Sequence, residues 1–144
     1  MTVPARVTLV TLGVADIPAA TAFYERLGWA PSAASVAGEV TFIAMTNGVV
    51  LGLWSYASLA GDAHREPADP TAFRGVALAI NVESEAEVDR VLAAAADAGA
   101  TPLKPATRAG WGGYSGYFAD PDGNAWEVAY NPGWPVRADG SVEV

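Results

Sequence analysis

The sequence contains no cysteine and only one histidine, His64, among its 144 residues. Without cysteine the chain has no disulfide, thiol nucleophile, cysteine zinc site or iron–sulfur cluster. One histidine leaves little for a metal site or a Ser-His-Asp triad, because no motif places a partner beside it. A disulfide-stabilised secreted scaffold is thereby excluded.

Basic residues are also scarce, with 8 Lys and Arg against 16 Asp and Glu and a net charge of -8. This balance opposes binding to a polyanion, so we expect no nucleic-acid partner. No apolar run approaches the roughly 18 residues of a membrane span, and the first residues lack the pattern of a signal peptide. We therefore expect a soluble cytoplasmic protein with no membrane partner, folded as one domain over residues 1–144.

Hydrophobic residues make up 51% of the chain, and their pattern in the first half predicts strand, helix and hairpin. Asp16 is a natural helix N-cap, and Gly28 ends the helix. The Asn47-Gly48 pair favours a tight turn between two strands. The strands are predicted at Arg6–Val14, Val40–Met45 and Val49–Tyr56.

The second half repeats this order. Ser84 and Glu87 form a capping box before a helix that ends at Gly99, and Asp122-Gly123 predicts a second hairpin turn. The strands are predicted at Gly75–Val82, Thr101–Lys104, Tyr114–Phe118 and Asn124–Tyr130.

Two alignments of the halves indicate an internal duplication. A shift of 68 positions places Leu9 on Ala77, and a shift of 75 positions places Gly52 on Glu127. We interpret the chain as α+β, with two βαβββ modules at about 6–56 and 75–130. A polar linker, 57–74, joins them and either covers a site or partner or is a solvated crossover. In the tail, 131–144, Asp139-Gly140 predicts a small hairpin between Val136 and Val142.

Two motifs resemble those of the vicinal oxygen chelate superfamily, which includes glyoxalase I, bleomycin-resistance proteins and extradiol dioxygenases. The opening motif comprises residues 14–17 with Phe23-Tyr24 and Leu27-Gly28, and the closing motif is residues 120–124 before Trp126-Glu127. The resemblance implies curved mixed sheets around a cavity, usually in a homodimer, with metal ligands at four inward-facing strand positions.

The resemblance places those four positions at Leu9, Gly52, Ala77 and Glu127. Leucine, glycine and alanine side chains offer no donor atom, and one carboxylate cannot hold a divalent ion that takes about four to six ligands. His64 lies in the linker and is expected in solvent rather than as a replacement ligand. We therefore expect no metal and no other cofactor.

Glu127 and several aromatic residues remain as candidates for a ligand site. A carboxylate in an apolar cavity is suited to anchor an amine or hydroxyl group, or to act as a general acid or base; alternatively, a neighbouring Tyr or Arg holds it for structural reasons. Glycine-rich Ala109–Gly116 predicts an aromatic rim rather than a phosphate loop. Gly52 and Ala77, which replace bulky ligand residues, leave room for a flat aromatic ligand. The candidate contacts are Phe42, Trp54, Tyr56, Trp111, Tyr114 and Tyr117.

The leading hypothesis is a metal-independent binder of the bleomycin-resistance type, which sequesters an aromatic or cationic small molecule through Glu127. The alternatives are a metal-dependent enzyme of the lactoylglutathione-lyase or dioxygenase kind, and a metal-free lyase, isomerase or hydrolase with Glu127 as the base. Without a ligand-sized cavity, a structural dimer would be favoured.

Overall fold

The computed structural model describes residues 2–144 and contains seven strands and three helices in that range. In chain order they are β1 Leu9–Val14, α1 Ile17–Arg26, β2 Val40–Ala44, β3 Val50–Ser55, α2 Tyr56–Asp62, β4 Ala77–Asn81, α3 Glu85–Asp97, β5 Thr101–Arg108, β6 Tyr114–Ala119 and β7 Ala125–Tyr130. Every strand expected from the sequence is present, with ends that differ by a few residues.

The strands form two separate mixed sheets, as the α+β prediction requires. The first sheet has the order β1-β3-β2 and the second β4-β7-β6-β5. In each sheet the first strand of the repeat pairs in parallel with the last, and the hairpin partners pair antiparallel. No helix within residues 2–144 has the length and apolar character needed to cross a bilayer.

The strand-pairing registers of the two sheets agree with the internal duplication seen in the sequence. Leu9 lies opposite Val50 in the first sheet, and Ala77 lies opposite Ala125 in the second. These partners are related by the shifts of 68 and 75 positions that aligned the two sequences.

The first half lacks a full counterpart of β5. Its only equivalent among the described residues is a bridge between Val36 and Val40, with a hydrogen bond from Ser32 N–H to the Phe42 carbonyl oxygen at 2.7 Å. Residues 30–39 contain Pro31, glycine and small side chains, which have low strand propensity. The first module is therefore βαββ with a bridged loop, and only the second has the complete βαβββ order.

The segment after β3 differs from the predicted polar linker, because its first part is the helix α2. The prediction that Tyr56 continues the strand is wrong. Ser55 adopts an extended conformation and its hydroxyl accepts a hydrogen bond from Ser58 N–H at 3.0 Å, so it caps the new helix.

Both halves contribute to one hydrophobic core. Leu12, Leu51 and Leu53 from the first sheet and Val128 from the second are buried in the same cluster. Tyr24 of α1 reaches the second half, where its hydroxyl donates to Asp120 Oδ2 at 2.7 Å. The predicted tail hairpin is present as a bridge between Val136 and Val142.

Candidate ligand-binding site

The four positions singled out by the sequence share the sheet faces that point away from the core. In β1, Leu12 and Val14 are buried, so the alternating residue Leu9 lies on the opposite face, where it is 46% exposed. Gly52 lies opposite Thr11 in register, and Glu127 lies opposite Ala79. The alternation that makes one face of each sheet core thus leaves the other free for a site.

A cavity of about 420 Å³ lies over this face of the second sheet, with Glu127 in its wall. We call it the Glu127 pocket. Small residues on β4 and β7 form its floor, and two tryptophans and two asparagines border it. Its lining residues are Ala79, Asn81, Trp111, Glu127, Ala129, Asn131 and Trp134.

Trp111 reaches the pocket from the glycine-rich β5–β6 loop. Ala109 and Gly113 close this loop, with Ala109 N–H donating to the Gly113 carbonyl oxygen at 2.8 Å. The indole folds back over Gly113, where any side-chain carbon would collide with its ring. Trp111 is nevertheless 69% exposed, so a large part of its ring is available to a ligand.

Trp134 is a pocket residue that the sequence analysis missed as a ligand contact. Asn131 folds the chain back directly after β7: its side chain accepts from Gly133 N–H at 2.9 Å, and its carbonyl oxygen accepts from Trp134 N–H at 3.0 Å. The Asn-Pro-Gly sequence of residues 131–133 is the signal for this turn.

Tyr117 is brought beside Glu127, because the two residues face each other across the antiparallel β6–β7 pair. Burial raises the pKa of the Tyr117 hydroxyl above its ordinary value, and the negative charge of Glu127 raises it further. A direct interaction between the two side chains raises the pKa of Tyr117 in the same direction. Tyr117 nevertheless lines a separate cavity beside α3 and not the Glu127 pocket.

The other aromatic candidates lie elsewhere. Tyr114 faces α3, where its hydroxyl donates to Asp89 Oδ1 at 2.7 Å, and this bond is the main cause of its raised pKa. Trp54 packs against the core. Phe42 and Thr11 occupy the space above Gly52, since a side-chain carbon there would lie 3.2 Å from Thr11 Oγ1 and 3.6 Å from Phe42. Gly52 therefore leaves no open room, and Tyr56 borders a different cavity, on the first sheet.

Comparisons with known proteins decide the family. Residues 6–128 match the Glyoxalase/Bleomycin resistance protein/Dioxygenase superfamily. The chain belongs to this superfamily. It is 40% identical to a glyoxalase-related enzyme from Fulvimarina pelagi, with a TM-score of 0.86 and coverage of 98% of this chain and 99% of that one.

Two further solved structures of the superfamily are less similar in sequence. The chain is 26% identical to a lactoylglutathione lyase from Agrobacterium tumefaciens, with a TM-score of 0.68 over 91% of this chain and 97% of that one. A glyoxalase/bleomycin resistance protein/dioxygenase family enzyme from Burkholderia phytofirmans shares 22% identity, with a TM-score of 0.72 over 88% and 98% of the two chains. The last similarity shows the fold alone. No curated protein matches the chain.

The residues at the superfamily's metal-ligand positions do not fit a divalent ion. Leu9, Gly52 and Ala77 have no donor atom, and the described residues contain no group of three or more His, Asp or Glu side chains placed to hold a metal. His64 is exposed in the segment after α2 and is separated along the sequence from Leu9, Gly52 and Ala77. Of the four positions in this superfamily member, only Glu127 retains a ligating side chain.

Proposed function

We propose that the protein binds a small cationic molecule with an aromatic or apolar body in the Glu127 pocket, without a metal. The observation that carries this proposal is the carboxylate itself. Among the described residues, Glu127 takes part in no ion pair, and the neutral hydroxyl of Tyr117 is the side-chain group that interacts with its carboxylate. A carboxylate without a cationic protein partner, set in a largely apolar cavity, is complementary to an ammonium group.

The two tryptophans of the pocket support the same ligand class. A cation within about 6 Å of an indole face is attracted to it, and the flat ring also stacks on an aromatic body. Trp111 and Trp134 are both substantially exposed, at 69% and 44%, so binding would bury apolar surface. The cavity volume of about 420 Å³ falls within the usual range for small-molecule sites.

Isothermal titration with phenethylamine and its neutral analogue phenylacetamide tests the proposal. We expect phenethylamine to bind with one site per chain and Glu127→Gln to weaken it at least about tenfold, because the charge-assisted contact is lost. Phenylacetamide binding should change much less.

Glu39→Gln is the matched control, because Glu39 is exposed on the first half of the chain and its side chain forms no salt bridge with the described residues. If both substitutions weakened phenethylamine binding equally, the loss of affinity would come from the change in net charge, and the proposal would be contradicted. The proposal would also be contradicted if phenethylamine failed to bind in competition with the neutral phenylacetamide.

An enzyme remains the second candidate, because a 40% identical relative is a glyoxalase-related enzyme. In this chain Glu127 would be the proton acceptor, with Tyr117 opposite it as a second polar group. Metal-free turnover of a lyase or isomerase substrate should be abolished in Glu127→Gln, whereas binding of a neutral ligand should survive. Stoichiometric Zn, Ni, Fe or Mn in the purified protein, lost together with activity on chelation, would instead favour a metal-dependent enzyme.

A further inference from the structure

A second cavity, of about 280 Å³, lies beside the first sheet, between β1, α2 and the residues that follow α2. Two hydrophobic strands and the inner side of α2 make it mainly apolar. We call it the Arg74 pocket. Its apolar walls come from Val10, Leu12, Leu59, Phe73, Val76 and Leu78.

Tyr56 organises this pocket. Its hydroxyl accepts a hydrogen bond from Ala68 N–H at 3.1 Å, and the Arg74 guanidinium lies 5.0 Å from the centre of its ring. The segment after α2 is thereby fastened to Tyr56 at two points. These contacts hold Arg74 at the mouth of an apolar cavity.

Arg74 keeps its positive charge free for a ligand. Its Nη1 donates to Asn124 Oδ1 at 2.8 Å and its Nη2 donates to the Pro70 carbonyl oxygen at 3.1 Å, and both acceptors are neutral. Within residues 2–144, Arg74 belongs to none of the ion pairs. A guanidinium carries five N–H donors, so some remain for another acceptor.

The nearby carboxyl group of Asp122 forms no salt bridge with Arg74. Its oxygen Oδ1 accepts from Ala15 N–H at 2.8 Å instead. Burial raises the pKa of Asp122, and the charge of Arg74 only partly opposes this shift.

The internal duplication relates the Arg74 pocket to the Glu127 pocket. Thr11 and Gly13 of the Arg74 pocket correspond to Ala79 and Asn81 of the Glu127 pocket under the shift of 68 positions. The two pockets therefore share equivalent positions on the first strand of each module, but their charges are opposite. The Glu127 pocket carries a carboxylate, whereas the Arg74 pocket has a guanidinium at its mouth and is not lined by Gly52, the counterpart of Glu127.

We propose that the Arg74 pocket binds a small monocarboxylate with an apolar or aromatic body, independently of the function proposed for the Glu127 pocket. The carboxylate would accept hydrogen bonds from Arg74, whose planar guanidinium matches a carboxylate better than a lysine would. The body of the ligand would pack between Leu59 and Phe73. The cavity volume, at the low end for ligand sites, limits the body to about one ring.

Titration of the ¹⁵N-labelled protein with phenylacetate, followed by NMR, tests this site. We expect saturable shifts of the backbone amides of Gly13, Leu59 and Asn124 and of the Arg74 Nε–H, with phenylacetamide much weaker. Arg74→Gln should weaken phenylacetate at least about tenfold, through loss of charge-assisted hydrogen bonds.

Arg65→Gln is the matched control, since Arg65 is exposed in the same segment and its side chain forms no salt bridge with the described residues. It should leave the titration unchanged, as should Glu127→Gln, which separates this proposal from the function proposed above. The proposal is overturned if the shifts do not saturate, if they cluster at the Glu127 pocket, or if the amide binds as well as the carboxylate. An unchanged ¹⁵N spectrum of the free Arg74→Gln variant confirms that it is folded.

Discussion

At the residue scale, Gly13 allows α2 to lie on the first sheet. A side-chain carbon at this position would be 2.6 Å from Tyr56 Cδ2 and 3.2 Å from Tyr56 Cα. The backbone atom cannot rotate away, so the close approach of strand and helix requires glycine. The Arg74 pocket depends on this contact, because Tyr56 is also the residue that Arg74 covers.

We therefore expect Gly13→Ala to destabilise the protein by about 1–3 kcal/mol, the usual range for overpacking a tight site. The free energy of unfolding in urea measures the effect. Gly61→Ala in α2 is the control, because a side-chain carbon there meets nothing within 4 Å. It should be neutral or stabilise by up to about 1 kcal/mol. If Gly13→Ala proved as stable as wild type, the contact would not be limiting.

At the element scale, the helix starts show how local sequence fixes structure. The Ser84 hydroxyl accepts from Glu87 N–H at 3.2 Å, as the capping box predicted. The Glu87 carboxylate accepts from Glu83 N–H at 2.9 Å rather than from the cap residue itself. Both bonds satisfy backbone donors near the first turn of α3.

Ser84→Ala should cost about 1 kcal/mol of unfolding free energy, because one of these donors loses its acceptor. Ser84→Asp restores an acceptor oxygen and should recover most of the loss. Thermal unfolding followed by circular dichroism compares the three proteins. Equal loss in the alanine and aspartate variants would show that the hydroxyl acts by packing rather than by capping.

The sequence predicts elements well where a few residues set the backbone. Asn47-Gly48 and Asp122-Gly123 need little more than their own conformational preferences to form turns, and both lie between the predicted strands. α2 was missed because its start depends on one serine at the end of an apolar run. The fourth strand that the βαβββ order requires of the first module does not form, because residues 30–39 have a weak strand signal and make only one bridge.

The candidate site was predictable only in part. The family resemblance implies that Glu127 faces a site, and the glycine-rich loop predicts an aromatic rim that includes Trp111; both residues line the same pocket. Whether Tyr114 turns toward the pocket or toward α3 depends on Asp89, far away in the sequence, whose carboxylate binds its hydroxyl. Trp134 depends on a turn after the last strand, outside both repeats.

At the scale of the whole molecule, four hydrogen bonds that involve side chains join the two modules within residues 2–144. One runs from Trp126 Nε1 to the Tyr24 hydroxyl oxygen at 3.1 Å. Besides Tyr24, which binds Asp120, Arg26 Nε donates to the Ala98 carbonyl oxygen at 2.8 Å and Ala15 N–H donates to the Asp122 carboxylate. Together with the shared core, these contacts indicate that the halves unfold as one cooperative unit.

Tyr24 gives this coupling a pH dependence. Burial, followed by the negative charge of Asp120, raises the pKa of its hydroxyl well above the ordinary value. The stabilisation is complete below about pH 10, where the unfolded chain also keeps the proton. Above that pH the unfolded chain ionises while the folded protein does not, so stability falls by up to about 1.4 kcal/mol per pH unit.

Tyr24→Phe removes a hydroxyl that donates to Asp120 at 2.7 Å and accepts from Trp126 Nε1 at 3.1 Å. At pH 8 we expect a loss of about 1–3 kcal/mol, because both buried partners are left with one bond fewer. At pH 11 the difference from wild type should shrink by about 1.4 kcal/mol, since only wild type loses stability through ionisation of Tyr24 in the unfolded chain.

Urea unfolding followed by both far-UV circular dichroism and tryptophan fluorescence measures the two effects. The two signals should move together in both proteins, and Tyr130→Phe, whose hydroxyl makes no side-chain hydrogen bond in the described chain, should change little. Separate transitions for the two signals would contradict cooperative unfolding, and a difference independent of pH would contradict the assignment to Tyr24.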